Sequence, residues 1–216
     1  MKESLTYHFT VEGETEDIYF SWLQGIINTQ TNRKYNVKIV HKICKNPVKY
    51  SKGLTNISKI NVTHVFDIES QDNIHVQQVR QTLDRMREAE KTGKDIKYHL
   101  GYTNFTFELW IILHKSECNG PLIHRDKYLE PLNKAYNENF ENLAQYKHEK
   151  ELKRILNKLD INDVRDAIKR AKYIMSNYEN NRLSSEKYKG FCYCKDNPSL
   201  SICESVEKIL KDIGLL

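Results

Sequence analysis

The chain has 216 residues, with 34 Lys and Arg against 29 Asp and Glu, for a formal net charge of +5. Its 29% charged residues and mean hydropathy of −0.70 exclude a mostly membrane-embedded protein. The longest apolar run, Leu109 to Leu113, is far short of the roughly 20 residues a bilayer span needs. With 39% hydrophobic residues, 13 Tyr and 7 Phe, the sequence can still bury a real core, which excludes general disorder.

The first residues, MKESLTYHF, lack the apolar stretch of about 7–15 residues that marks a secretory signal. The expectation is therefore a cytoplasmic protein whose five cysteines are reduced thiols. Cys192, Cys194 and Cys203 lack the paired spacing of a zinc site, so buried or idle thiols are the better reading. The mild basic excess permits a nucleic-acid partner without demanding one.

Leu5 to Val11 is rich in β-branched and aromatic types and reads as a strand. It stops at Glu12-Gly13-Glu14, and Thr15 is placed to cap a helix over about 16–27 with Ile18, Trp22, Leu23 and Ile26 on one face. A second strand follows at Tyr35–Ile43, then a Lys-rich loop and short helix containing Pro47 and Gly53. The third strand is Val62–Ile68, followed by a polar surface helix over 73–91 that is dense in Gln and Arg. Ile96–Tyr102 reads as a fourth strand and Phe105–His114 as a buried helix. Such alternation predicts an α/β fold, a mainly parallel sheet with helices on both faces.

From Arg125 onward helices dominate, over about 127–145, 148–158, 161–177 and 199–213. The predicted organisation is an α/β core over 1–124 and a helical extension over 125–216, its last helix folding back on the core.

Active sites of parallel α/β sheets gather at the carboxyl ends of the strands, and this sequence puts acids there. Glu12 follows the first strand, and Glu16 lies one helical turn beyond it on the same side. Asp67 and Glu69 close the third strand at the two-residue period of one sheet face. Glu108 sits between Phe107 and Leu109-Trp110, where a carboxylate costs energy unless it is paired or coordinated. Each acid alone reads as a solvated or helix-terminal charge. Together, at neighbouring strand ends, they would repel unless cations neutralise them. Hard oxygen ligands suit Mg²⁺ or Mn²⁺, and two such ions support phosphodiester cleavage.

Glu12 in the turn Val11-Glu12-Gly13-Glu14-Thr15-Glu16, with Asp67-x-Glu69 after another hydrophobic strand, resembles the Toprim domain of topoisomerases, primases and OLD-type nucleases. With Tyr19-Phe20, Val65-Phe66-Asp67, Asn104, Phe107-Glu108-Leu109-Trp110 through Leu113-His114, and Asn197-Pro198-Ser199, the chain is more specifically similar to the RloB family, with its AbiLii-like abortive phage-resistance proteins. Thr103-Asn104-Phe105-Thr106 departs from the Ser-Asn-Pro-Cys frequent in that family, and Glu69 replaces the second Asp of its acidic pair.

The resemblance implies a Toprim-type nuclease using Mg²⁺ or Mn²⁺, acting in anti-phage defence beside an ABC/AAA-type ATPase partner. Glu12, Glu16, Asp67 and Glu69 would be the metal ligands, Glu108 a ligand at a second metal position or a residue that orients the ligands, and Lys147 the lysine that assists them in OLD-type nucleases, with a solvated surface lysine as the alternative. Asn104 would fix the turn or touch a ligating water, and His114, on a different helical face from Glu108, would serve as a hydrogen-bonding helix-end residue. Lys42, Lys45, Lys49 and Lys52 are candidate contacts to DNA or RNA, with a solvated loop as the alternative. A binding subunit that regulates an ATPase without cutting is the main rival. Another Mg²⁺ phosphotransferase is a second, although the sequence has no Walker-type phosphate loop. A homo-oligomer is left open.

Overall fold

The computed structural model describes residues 2–55, 58–181 and 185–216. Its framework is a four-stranded parallel sheet of β1 (Ser4–Val11), β2 (Asn36–Ile43), β3 (Ile60–Ile68) and β4 (Ile96–Asn104), in the order β2-β1-β3-β4. Register runs Val11 beside Ile43, Thr10 beside His64, and Asp67 beside Thr103, so the carboxyl ends share one edge. The connections are α1 (Glu14–Thr29), α2 (Pro47–Gly53) and α3 (Asn73–Ala89). The expected alternation and parallel sheet are therefore found.

Central β3 is buried continuously from Val62 to Phe66, as a strand covered on both faces must be. Its even residues Val62, Phe66 and Ile68 pack with Leu83 and Met86 of α3 and with Tyr98 and Tyr102 of β4. Its odd residue Val65 joins the larger core with Phe9 and Val11 of β1, Tyr19 and Phe20 of α1, and Leu109 to Leu113. The strand period thus sends Asp67 to the same side as α1 and the Leu109–Leu113 run. That larger core continues through residues of both halves of the chain, from Phe9 to Leu215.

The buried helix after β4 is shorter than its apolar run suggests. α4 spans Glu108–Leu113, and Phe105 ahead of it takes a left-handed φ of 65°. Beyond it come a 3-10 turn (Arg125–Tyr128), α5 (Leu129–Tyr136), α6 (Leu143–Lys147), α7 (Glu149–Leu156) and α8 (Ile161–Asn181). The single helix expected over 127–145 is thus broken, at Asn137 with φ 54° and again by Asn142, whose side chain caps α6. An antiparallel hairpin, β5 (Ser185–Tyr188) and β6 (Phe191–Cys194), precedes α9 (Ile202–Asp212), which packs on β4 and α8.

The hairpin is absent from the sequence reading, and two other details differ. Thr15 lies inside α1 while Gly13 takes the cap position, and the helix's buried stripe is Tyr19, Phe20, Leu23 and Ile27. The polar α3 buries Val79, Leu83, Met86 and Ala89 rather than lying wholly at the surface.

Candidate metal and phosphodiester site

The sheet changes direction between β1 and β3, since β2 lies outward of β1 on one side and β4 outward of β3 on the other. The crevice at the carboxyl ends of two such strands is where open α/β sheets bind ligands. Glu12 and Asp67 occupy it, one just past β1 and one at the penultimate position of β3.

Local structure brings further acids to them. Gly13 starts α1 without a side chain, and a Cβ there would lie 3.2 Å from Glu16 Oε2. This leaves the Glu16 carboxylate room to fold back at the helix entrance, where it is 5% exposed. From the opposite side, the left-handed Phe105 turns the chain out of β4, its N–H bonded to Ile68 O at 2.9 Å. Thr106 then donates to Glu108 Oε2, and Thr103 donates to Asp67 Oδ1. Glu108 is fully buried, and its Oε1 has no hydrogen-bond donor among the described residues. Lys147 Nζ, at the end of α6, lies 3.2 Å from that oxygen and supplies the counter-charge.

The electrostatics are those of crowded carboxylates. Burial pushes the Glu16 carboxyl up to about 7, with Glu108 and Glu12 adding and Lys147 opposing. Asp67 is raised well above the carboxylate range, first by burial and then by Glu16 and Glu108, against Thr103 and Lys147. Glu12 is also raised by burial, with Lys45 and the Asp67 backbone amide opposing. Glu16 feels Glu12 and Glu108, and Asp67 feels Glu16 and Glu108; Lys147 opposes this at Glu16, Asp67 and Glu108, and Lys45 does so at Glu12.

The remaining candidates separate. Glu69 lies past the end of β3 and is exposed, 3.3 Å from His75 Nε2 and 3.9 Å from Arg125 Nη1. It shares with Glu12, Asp67, Lys45 and residues of α3 a pocket of about 330 Å³. Lys42, Lys45, Lys49 and Lys52 are all exposed, and of these Lys45 alone lines that pocket. Asn104 holds the segment after β6, donating to Lys195 O at 2.7 Å and Asp196 O at 3.2 Å, while its buried Oδ1 has no hydrogen-bond partner among the described residues. His114 is buried between Trp110 O (2.9 Å) and Tyr19 Oη (3.3 Å), and burial lowers its imidazole to about 4.

Thr103, Thr106 and Tyr146 were not singled out from the sequence. Tyr146 is buried beside the acids, its phenol pushed upward by burial and then by Glu108, and the hydroxyl has no hydrogen-bond partner among the described residues. Only the short Thr-Asn-x-Thr-x-Glu spacing of 103–108 could have signalled the two threonines.

The donor set suits a hard divalent cation: it is all carboxylate, and the buried Glu108 Oε1 is met by the Lys147 ammonium alone. Among the described residues, however, no three Asp, Glu, His or Cys side chains are gathered closely enough to hold an ion as they stand. The five cysteines form no disulfide, with Cys192 exposed and Cys194 and Cys203 buried. No described helix is long and apolar enough to cross a membrane.

No curated protein and no solved structure matches the chain. A family model described as RloB-like protein matches residues 7–209, taking in every candidate acid and Lys147. By that match, over nearly its whole length, the chain belongs to the RloB-like family.

Proposed function

We propose that the chain is a metal-dependent nuclease with a Toprim-type centre related to that of OLD-type nucleases. The observation that carries this is the gathering of Glu12, Glu16, Asp67 and Glu108 at the switch point of a parallel sheet, where Glu16 and Asp67 are raised first by burial and then by neighbouring carboxylates. These residues would hold Mg²⁺ or Mn²⁺, with Glu69 at the pocket rim. Such an ion supplies charge neutralisation at a phosphoryl oxygen and a water acidic enough to attack it.

The chain's own groups have separable tasks. Thr103 and Thr106 fix the Asp67 and Glu108 carboxylates by hydrogen bonds, so both are oriented before substrate arrives. Lys147 offsets part of the acidic charge, which keeps the cluster compact and lowers repulsion of an incoming phosphate. Lys45 opens onto the same pocket as Glu12 and Asp67 and faces a phosphate approaching from solvent. The family resemblance extends the reading to an effector in anti-phage defence, delivered or held by an ATPase partner in the cytoplasm.

The second reading is a binding subunit of a defence ATPase that holds nucleic acid without cutting. It is favoured by the acids' failure to close on a ligand set among the described residues, and by the outward position of Glu69.

Plasmid, single-stranded DNA and bulk tRNA incubated with purified protein and Mg²⁺ or Mn²⁺ separate the two. The nuclease reading expects cleavage that EDTA stops and that Glu12→Ala and Asp67→Ala each reduce by on the order of 100-fold or more, as loss of a charge-stabilising group does. No cleavage with or without the ATPase would leave the binding subunit standing.

A further inference from the structure

One wall of the acidic pocket is α3, which meets the pocket's acids through His75, 3.3 Å from Glu69. His75, Gln78, Thr82 and Arg85 follow one another along α3 at the three- and four-residue steps of a single helix face. With Gln81 they line the pocket that also holds Glu12, Asp67 and Lys45. Each of these five side chains offers an N–H or O–H, and none is an acid. Neither acid of the same helix, Asp84 or Glu88, lines the pocket, and Asp84 takes Tyr188 and Lys189 of the hairpin. Gln78, Gln81 and Arg85 are exposed, and neither Arg85 nor Lys45 forms an ion pair within 4 Å among the described residues.

At a rise of about 1.5 Å per residue, the stripe from His75 to Arg85 is about 15 Å long. That matches about four nucleotides at roughly 3.4 Å each. The pocket's two rings are Phe66, 3% exposed, and the His75 imidazole, whose nitrogens face Glu69 and Asp72, so the wall is suited to backbone contacts more than to stacking bases. Of the acids that line the pocket, Glu12 and Asp67 are partly buried and Glu69 is exposed, while Glu16 and Glu108, outside its lining, are 5% and 0% exposed. A duplex is stiff on this scale and keeps its phosphates on the outside of a rod, whereas a single strand can bend down to them.

We propose that α3 is the guide wall for a single-stranded segment of nucleic acid, held by its backbone. Arg85 and Lys45 take phosphates from opposite sides, Gln78, Gln81 and Thr82 contact backbone oxygens between them, and His75 stands where the strand meets the acids. The proposal rests on the reading of those acids as the reaction centre.

The test is anisotropy of labelled 12-nucleotide DNA and RNA, single-stranded and duplex, with the full chain in EDTA across a salt series. Single strands are expected to bind at least tenfold more tightly than duplexes of equal length. Arg85→Ala should weaken single-strand binding on the order of fivefold and make the log–log salt slope shallower by about 0.7, one phosphate contact. Lys169→Ala, an exposed lysine of α8, serves as the charge control. Equal losses in Arg85→Ala and the control, duplex binding as tight as single-strand binding, or no binding at all would each overturn the wall. Mn²⁺-dependent hydrolysis of bis(p-nitrophenyl) phosphate reads the acids without a strand. Failure there with Arg85-dependent binding intact would sink the nuclease reading and leave the strand wall, and the reverse result would do the opposite.

Discussion

Glu16 shows what the fold tolerates to assemble this site. A carboxyl raised to about 7 by burial and by its acidic neighbours binds its proton more tightly in the folded chain than in the unfolded chain, where it titrates near 4.5. The unfolded state therefore releases that proton first. The stabilising difference is full below about pH 4.5 and is lost as pH rises through about 7. Glu16→Gln removes the loss, so the variant should be more stable than the parent at pH 8 in EDTA, by an amount of order 3 kcal/mol. The two should converge near pH 4.5. Thermal or urea melts at both pH values check this, and a variant no more stable at pH 8 would mean that Glu16 is not held by its neighbours. Glu12, Glu16, Asp67, Glu108 and Lys147 were all legible in the sequence, the acids from their places at strand ends and Lys147 from the family pattern. Glu69 lies past Ile68, where β3 ends, so the strand's two-residue period does not fix its side chain, which is exposed at the rim of the pocket it shares with Glu12 and Asp67.

At the scale of elements, α4 and α6 form the half of the site that sequence pattern described least well. The apolar run 105–114 gives away a buried helix, but its periodicity does not reveal the left-handed Phe105 that turns Glu108 toward Asp67. The position of α6 depends on Asn142 capping a five-residue helix, a local signal easily absorbed into one longer predicted helix. The hairpin was missed for a different reason. Ser185 to Tyr188 is polar and partly exposed, and the pair is held by tertiary contacts such as Arg87 over the Phe191 ring at 4.0 Å. The link between α4 and α6 is the 3.2 Å approach of Lys147 to Glu108. Removing one partner of such a pair leaves a buried charge uncompensated. Because Lys147 is 30% exposed, solvent reduces the cost, and Lys147→Met should destabilise by about 2 kcal/mol. Adding Glu108→Gln should restore most of it. A double variant as unstable as the single would show that Lys147 acts through packing rather than charge.

The molecule as a whole is organised by its sheet. Strand and helix alternation made the parallel sheet legible, but the order β2-β1-β3-β4 depends on which strands neighbour one another, and no residue pattern within a strand encodes that. The order matters because it places the end of β1 beside the end of β3 and so brings Glu12 to Asp67. It also sets two cores on opposite faces, with the acids above the larger one and the α3 wall above the smaller. The central claim is that this edge is a divalent-metal centre, and it can be tested without a substrate or an ATPase. The measurement is electron paramagnetic resonance of Mn²⁺ titrated with the chain at pH 7.5. The wild-type protein is expected to quench the free-ion signal, excess Mg²⁺ to restore it, and Glu12→Ala combined with Asp67→Ala to abolish the quenching. A folded wild-type chain that leaves the free-ion signal unchanged, or one whose double variant quenches it equally, would contradict the account.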